Sequence, residues 1–195
     1  MKAIAWMRYL SEQRDHHDKH LFTVTELANV AATSPAVMNV ELSRLIQQGV
    51  LRRWATGRYG LPSDVPPGVL VSSIDPDAYA TGAWALAEHG FITQQPYEMD
   101  CFTRRRHNRS RRRSTPLGTL VFVTVSPRLH SVPAQAGIAP PDQALCDLFY
   151  VARRRGLAPE SLYTFRKLDS LNLGSDLLAR YPKTVQRDVE ELCAG

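Results

Sequence analysis

Apolar side chains recur at helical spacing through the first fifty residues and predict three helices. The first helix carries its apolar stripe at four positions: Ile4, Met7, Tyr9 and Leu10. A second helix is predicted over residues 25–32, with Thr23 or Thr25 as its N-cap. The third is predicted over 34–48, because Ser34-Pro35 combines a hydroxyl N-cap with proline at the first helical position, and Gly49 is a typical stop.

The pattern becomes strand-like after Gly49. Residues 50–54 and 58–61 are predicted as two strands joined by a turn, and Pro62 ends the second strand. Two helices, a short turn, a third helix and a hairpin are the element order of a winged helix-turn-helix. We predict that fold for residues 1–62.

The rest of the chain predicts a second domain. Residues 63–68 contain two prolines and a glycine and are predicted as a linker. Four further elements are predicted: a helix over 78–89, strands near 96–103 and 119–126, and a helix from 140 to 151. Short amphipathic helices are expected beyond Pro159. The predicted fold class is therefore α+β, with residues 69–195 forming a small sheet covered by helices.

Composition narrows the class of protein. With 195 residues, 44% of them hydrophobic, the chain is long enough for two small domains with their own cores. No run approaches the ~18 apolar residues of a membrane span, and the N-terminus lacks the apolar segment of a signal peptide. Three widely spaced cysteines are expected to be reduced thiols. We expect a cytoplasmic protein without a membrane partner.

Positive charge is concentrated in residues 104–113, here called the arginine segment. Without its seven arginines the formal net charge of +5 would become −2. They are Arg104, Arg105, Arg106, Arg109, Arg111, Arg112 and Arg113. Such a cluster predicts a polyanionic partner, and we expect a mobile, exposed loop that binds DNA phosphates. A solubilising hairpin tip and a dock for an acidic partner stay open as alternatives.

The predicted third helix has an outer face suited to DNA. Its inner stripe is apolar, whereas the outer face is small and polar, so it can enter a major groove about 12 Å wide. Asn39, Ser43 and Gln47 are the predicted base-contacting residues. Arg44, Arg52, Arg53 and Arg58 are the predicted phosphate-binding residues beside it. The alternative is a protein-interaction or dimerisation module with a solvated outer face.

The sequence gives little evidence of a catalytic site or a metal site. His16, His17 and His20 lie near two aspartates but are interpreted as a solvated helix end, because no further ligand is evident. No nucleophile, metal or phosphate-loop motif is present in the sequence. Four acids could be assembled into a nuclease site only by chance spacing: Asp75, Asp77, Glu88 and Asp100. We expect no enzyme activity, metal or cofactor.

Four motifs in order resemble a known family. They are GRYGLP at 57–62, DAYATGAWALAEHG at 77–90, TPLGT at 115–119 and IAPPDQALCDL at 138–148. Together they resemble the AbiEi-like antitoxins of type IV toxin–antitoxin systems, which act in abortive infection and phage defence. The resemblance extends from about residue 20 to 155. One departure is Asp142-Gln143, where the family often has Glu-Lys, so no role is carried over to Gln143.

The resemblance implies a repressor that binds double-stranded DNA at its own promoter, with inverted repeats expected. It also implies an antitoxin against a nucleotidyltransferase-type toxin; direct contact between the two stays open. Two hypotheses from other classes remain: a stand-alone winged-helix transcription factor with a ligand-sensing second domain, and a nucleic-acid-processing enzyme.

Overall fold

The computed structural model describes residues 2–63, 65–131 and 137–194. The protein is α+β with small sheets, and the chain divides into two compact units, Met1–Ile74 and Asp75–Gly195. The first unit contains α1 (Ala3–His17), α2 (Val24–Val30), α3 (Pro35–Gln47), β1 (Arg52–Ala55), β2 (Arg58–Gly60) and α4 (Pro67–Ile74).

Side-chain caps start α2 and α3 where the sequence predicts helices. Thr23, rather than Thr25, caps α2 in a reciprocal capping box with Glu26. The Ser34 hydroxyl accepts a hydrogen bond from the Val37 amide at 3.3 Å, with Pro35 at the first position of α3. These local signals need no tertiary partner, so both helices are confirmed within two residues at each end.

The inward face of α1 differs from the predicted stripe. Trp6 and Leu10 are buried, whereas Ile4 and Met7 are exposed. Positions 6 and 10 are one helical turn apart and pack into the core of the first unit, where Trp6 removes the larger apolar area from water. Spacing alone could not choose between two overlapping apolar stripes on the same helix.

The hairpin is anchored to the helices of the first unit by backbone hydrogen bonds. β1 and β2 pair antiparallel, with Arg52 opposite Gly60 and Arg53 opposite Tyr59. The backbone of Phe22, just before α2, pairs in turn with Tyr59 through N–H···O bonds of 2.8 and 2.9 Å. The hairpin therefore has a fixed position beside the helices that precede it.

The predicted linker does not coincide with the division into units. Pro67 and Gly68 begin α4, whose Leu70 and Val71 are buried, and the division falls after Ile74. Two hydrogen bonds from the Arg58 guanidinium to the Ser73 carbonyl tie the end of α4 to the hairpin. Pro67 and Gly68, which predicted a linker, mark the start of a helix instead. Residue 64 of the predicted linker lies outside the described residues.

The second unit is a four-stranded sheet with helices. Its elements are β3 (Tyr79–Thr81), α5 (Gly82–Glu88), β4 (Glu98–Thr103), β5 (Arg112–Thr115), β6 (Gly118–Thr124), α6 (Pro141–Arg155), α7 (Pro159–Leu162), α8 (Ser175–Leu178) and α9 (Lys183–Ala194). The strand order is β3-β4-β6-β5, with β4 and β6 parallel and the other neighbours antiparallel. α6 carries the predicted apolar face and packs in the core of this unit with α5 and α9.

One predicted helix begins later than expected. Residues 79–81 form β3, which pairs with β4 from Asp100 to Phe102, and α5 starts only at Gly82. The buried backbone of β3 satisfies its hydrogen bonds in the sheet, and Gly82, with φ of 66°, makes the sharp turn into the helix. Among the described residues, no helix is long and apolar enough to cross a membrane.

Candidate nucleic-acid interface and a basic cleft

The outer face of α3 brings the three predicted base-contacting residues together. Asn39, Ser43 and Gln47 follow one another at successive turns, and all three are exposed. The Ser43 hydroxyl donates to the Asn39 carbonyl at 3.1 Å, so its lone pairs stay available as acceptors. Val40, 73% exposed, lies on the same face and could contact a thymine methyl group.

Arg44 is engaged within α3. Its guanidinium makes a bidentate pair with Glu41, with N···O distances of 3.1 and 2.6 Å. Hydrogen bonds from Arg44 hold the pKa of the Glu41 carboxyl below its usual value. An exposed pair of this kind is worth at most about 1 kcal/mol, so it lowers but does not abolish the suitability of Arg44 for phosphate binding.

The three hairpin arginines have different surroundings. Arg52 and Arg53 are exposed, and neither has an acidic partner among the residues described; Arg52 lies over the Trp54 ring at 5.2 Å. Arg58 is partly buried, and its Nε and Nη2 donate to the Ser73 carbonyl at 2.8 and 2.5 Å. Arg58 therefore supports the first unit, a role that its sequence position did not indicate.

The arginine segment is not the free loop that its composition predicts. Residues 108–110 form a short 3-10 turn that begins at Asn108, with φ of 46°, a left-handed conformation that asparagine tolerates. Arg112 and Arg113 belong to β5 and lie opposite Val121 and Leu120 of β6. The pairing with β6 supplies hydrogen-bond partners for the backbone N–H and C=O groups of β5. The free energy of these bonds offsets the repulsion between neighbouring arginines.

Acidic residues distant in sequence compensate part of this charge. Three arginines have acidic partners: Arg104 with Asp77, Arg105 with Asp75, and Arg112 with Glu98. The hydrogen bonds from Arg104 lower the pKa of Asp77 to about 2. Arg106, Arg109 and Arg111 are exposed and have no acidic partner in the described part of the chain. The arginine segment therefore offers fewer than seven uncompensated positive charges to a ligand.

Asp75 anchors the start of the arginine segment. Its buried carboxylate accepts hydrogen bonds from Thr103 Oγ1 at 2.6 Å and from His107 Nε2 at 2.9 Å. Burial alone would raise the pKa of Asp75, but these hydrogen bonds and the charge of Arg105 lower it. The His107 ring in turn stacks on Phe122, with 4.1 Å between ring centroids.

The four acids considered for a nuclease site do not converge. Asp75 and Asp77 are held by the contacts above, Asp100 pairs with Arg155 at 2.7 Å, and Glu88 is exposed at the end of α5. Among the residues that the structure describes, no group of three His, Cys, Asp or Glu side chains is placed to hold a metal ion. His20 contacts Asp18 at 2.9 Å rather than a further histidine.

A basic cleft of about 810 Å³ lies between the arginine segment and the end of α6. Five arginines line it: Arg106, Arg111, Arg112, Arg154 and Arg155. The last two come from α6 and were not among the predicted phosphate-binding residues. The run Arg153-Arg154-Arg155 was the available signal, but three charges in the last helical turn are equally typical of a C-terminus stabilised by the helix dipole.

A buried carboxyl group connects separate segments of the second unit through hydrogen bonds. Asp147 is fully buried and accepts hydrogen bonds from Thr81 Oγ1 and from the Tyr181 hydroxyl, both at 2.6 Å. Burial raises the pKa of Asp147 to about 7, against the effect of these two donors. Gln143, where the sequence departs from the AbiEi-like motif, donates to the Tyr79 hydroxyl at 2.8 Å and is a core residue.

Comparison with known proteins adds no relative to these observations: no family model matches the chain, and no curated protein matches it. The resemblance to the AbiEi-like antitoxins therefore stays a prediction from the sequence. Two surfaces of the protein are candidates for function: the outer face of α3 with the hairpin arginines, and the basic cleft of the second unit.

Proposed function

We propose that the chain is a DNA-binding transcriptional autorepressor and the antitoxin of a type IV toxin–antitoxin system, with a winged helix-turn-helix as its first unit. The observation that carries the DNA-binding proposal is the outer face of α3. It presents Asn39, Ser43 and Gln47 to solvent, with its neighbouring acid, Glu41, already neutralised by Arg44.

The hairpin supports the same proposal. In a winged helix the hairpin follows the recognition helix and is joined to the body of the domain, as the pairing of Phe22 with Tyr59 joins it here. Arg52 and Arg53 lie on the strand that follows α3 and carry charge that no acid in the described residues compensates. Side chains of this kind bind phosphates and orient the recognition helix in the groove.

Alanine at Asn39 or Gln47 should weaken binding to the chain's own promoter DNA by about 1–3 kcal/mol each, and leave binding to random DNA almost unchanged. The physical reason is that an amide side chain makes paired hydrogen bonds to one base edge and not to others. Fluorescence anisotropy with both duplexes at one salt concentration measures the difference.

The matched control is the pair Arg52→Ala and Arg53→Ala. Both variants should weaken promoter and random DNA alike and reduce the slope of log K against log salt by about one for each lost phosphate contact. Equal losses on both duplexes for the Asn39 and Gln47 variants would contradict base contact by α3. An unchanged salt slope would place the hairpin away from DNA.

The antitoxin part of the proposal rests on the sequence resemblance. Co-expression of the chain with a nucleotidyltransferase encoded beside it should restore growth that the enzyme alone arrests. The Asn39→Ala/Gln47→Ala double variant provides the control, since it should lose repression but keep rescue if neutralisation belongs to the second unit. Growth arrest that persists despite well-expressed, folded protein would contradict antitoxicity and leave DNA binding to be judged separately.

A further inference from the structure

The basic cleft has more positive charge than its acids compensate. Of its five arginines, Arg112 and Arg155 are paired with Glu98 and Asp100. Arg106 and Arg111 have no acidic partner among the described residues, and neither has Arg154, which lies over the Tyr150 ring at 5.6 Å. Three arginines without an acidic partner therefore line one cavity from two different segments, and guanidinium groups are bidentate donors to phosphate oxygens.

An apolar pocket of about 300 Å³ adjoins this cleft. Its lining includes Tyr97, Leu148, Leu162 and Tyr163, and Tyr97 is 72% exposed. The cleft and the apolar pocket share four lining residues, which form the boundary between them: Glu98, Val151, Arg155 and Leu157. The two cavities are therefore adjacent, and the ion pairs Arg112–Glu98 and Arg155–Asp100 lie at their shared wall.

The combined chemistry selects a class of ligand. The cleft alone has a volume within the roughly 300–1,000 Å³ of small-molecule sites. Guanidinium groups bind phosphates bidentately, and aromatic and aliphatic side chains accept the faces of a nucleobase. The negative end of the α6 dipole opposes an anion at this place, so the arginines in its last turn are needed to reverse the local potential.

We propose that the second unit binds a nucleoside di- or triphosphate, with the phosphates in the basic cleft and the base in the apolar pocket. A nucleic acid strand would require a series of base platforms along the cleft, whereas a single nucleotide needs only the apolar pocket that adjoins it. The inference does not depend on DNA binding by the first unit. It would make the chain a protein that senses a nucleotide as well as a DNA sequence.

Isothermal titration of the full chain with ATP, GTP and inorganic tripolyphosphate, at low salt and with EDTA present, tests the site. Arg106→Gln, Arg111→Gln and Arg154→Gln should each weaken both ATP and tripolyphosphate by about tenfold, because each removes charge-assisted hydrogen bonds. Leu162→Gln should weaken ATP about threefold and leave tripolyphosphate unchanged, since only the base contacts the apolar pocket.

Arg109→Gln is the matched control: it removes the same charge from the same segment, but Arg109 does not line the cleft, so ATP affinity should stay within about twofold. Three results would overturn the inference. They are no ATP binding by the folded chain, equal affinity for ATP and tripolyphosphate, and binding of a six-nucleotide dT oligomer at least tenfold tighter than ATP. The Asn39→Ala/Gln47→Ala variant should bind ATP normally, which separates this test from that of DNA binding.

Discussion

Alanine at Gly118 should destabilise the second unit by about 3 kcal/mol or more and lower its unfolding midpoint by about 10 °C. Gly118 begins β6 with φ of 113°, a conformation that L-residues rarely adopt. A Cβ atom there would lie 2.3 Å from the backbone oxygen of Tyr97. Because Tyr97 immediately precedes β4, the clash would push apart the parallel pair of β4 and β6 where Glu98 faces Thr119.

Gly174→Ala is the matched control for this prediction. Gly174 lies in the same unit, has φ of −61°, and an added Cβ would meet no atom within 4 Å. The unfolding midpoint of the Gly174→Ala variant should therefore stay within about one or two degrees of the midpoint of the unchanged chain. Differential scanning calorimetry of both variants provides the measurement, and equal midpoints would contradict the close approach of Gly118 to Tyr97.

Asp147→Asn should stabilise the second unit above pH 7 by up to about 4 kcal/mol and have little effect near pH 4. The pKa of Asp147 is about 7 in the folded chain, against an ordinary value of 3.8. Between these values the folded state retains a proton that the unfolded state has released, so stability falls as pH rises through this window. Asparagine is neutral throughout and can still hydrogen-bond to Thr81 and Tyr181.

Urea unfolding of both proteins at pH 5, 6, 7 and 8 measures this difference. Asp176→Asn is the control, because it removes a carboxylate that is exposed to solvent in α8. It should shift the unfolding free energy by less than about 0.5 kcal/mol. A gap between wild type and Asp147→Asn that stays constant from pH 5 to 8 would mean that the buried carboxyl is not protonated in the folded state.

The candidate site was predictable where it depends on one helix and not where it depends on several elements. The outer face of α3 follows from the 3.6-residue period once the helix is placed, so Asn39, Ser43 and Gln47 could be grouped from sequence. The engagement of Arg58 with Ser73 could not, because a backbone carbonyl fifteen positions away leaves no trace in side-chain pattern.

Local free energies explain which elements the sequence determined by itself. Caps at Thr23 and Ser34, a glycine after α3 and the alternating residues of β6 act within a few positions, and they specified α2, α3 and that strand. The burial of Trp6 in place of Ile4, and the pairing of residues 79–81 into β3, depended on surfaces brought by distant parts of the chain. Tertiary packing decides between local alternatives of nearly equal free energy.

The charge of the arginine segment was likewise determined partly by sequence and partly by tertiary structure. Composition determined that the arginine segment is basic, but only the tertiary structure decided how much of that charge is available. Folding brings Asp75, Asp77 and Glu98 to three of its arginines, and it places Arg106 and Arg111 in one cleft with Arg154 and Arg155. Coulomb energy depends on distance in space, and residues 98 and 112, or 100 and 155, become neighbours only after the sheet and α6 have assembled.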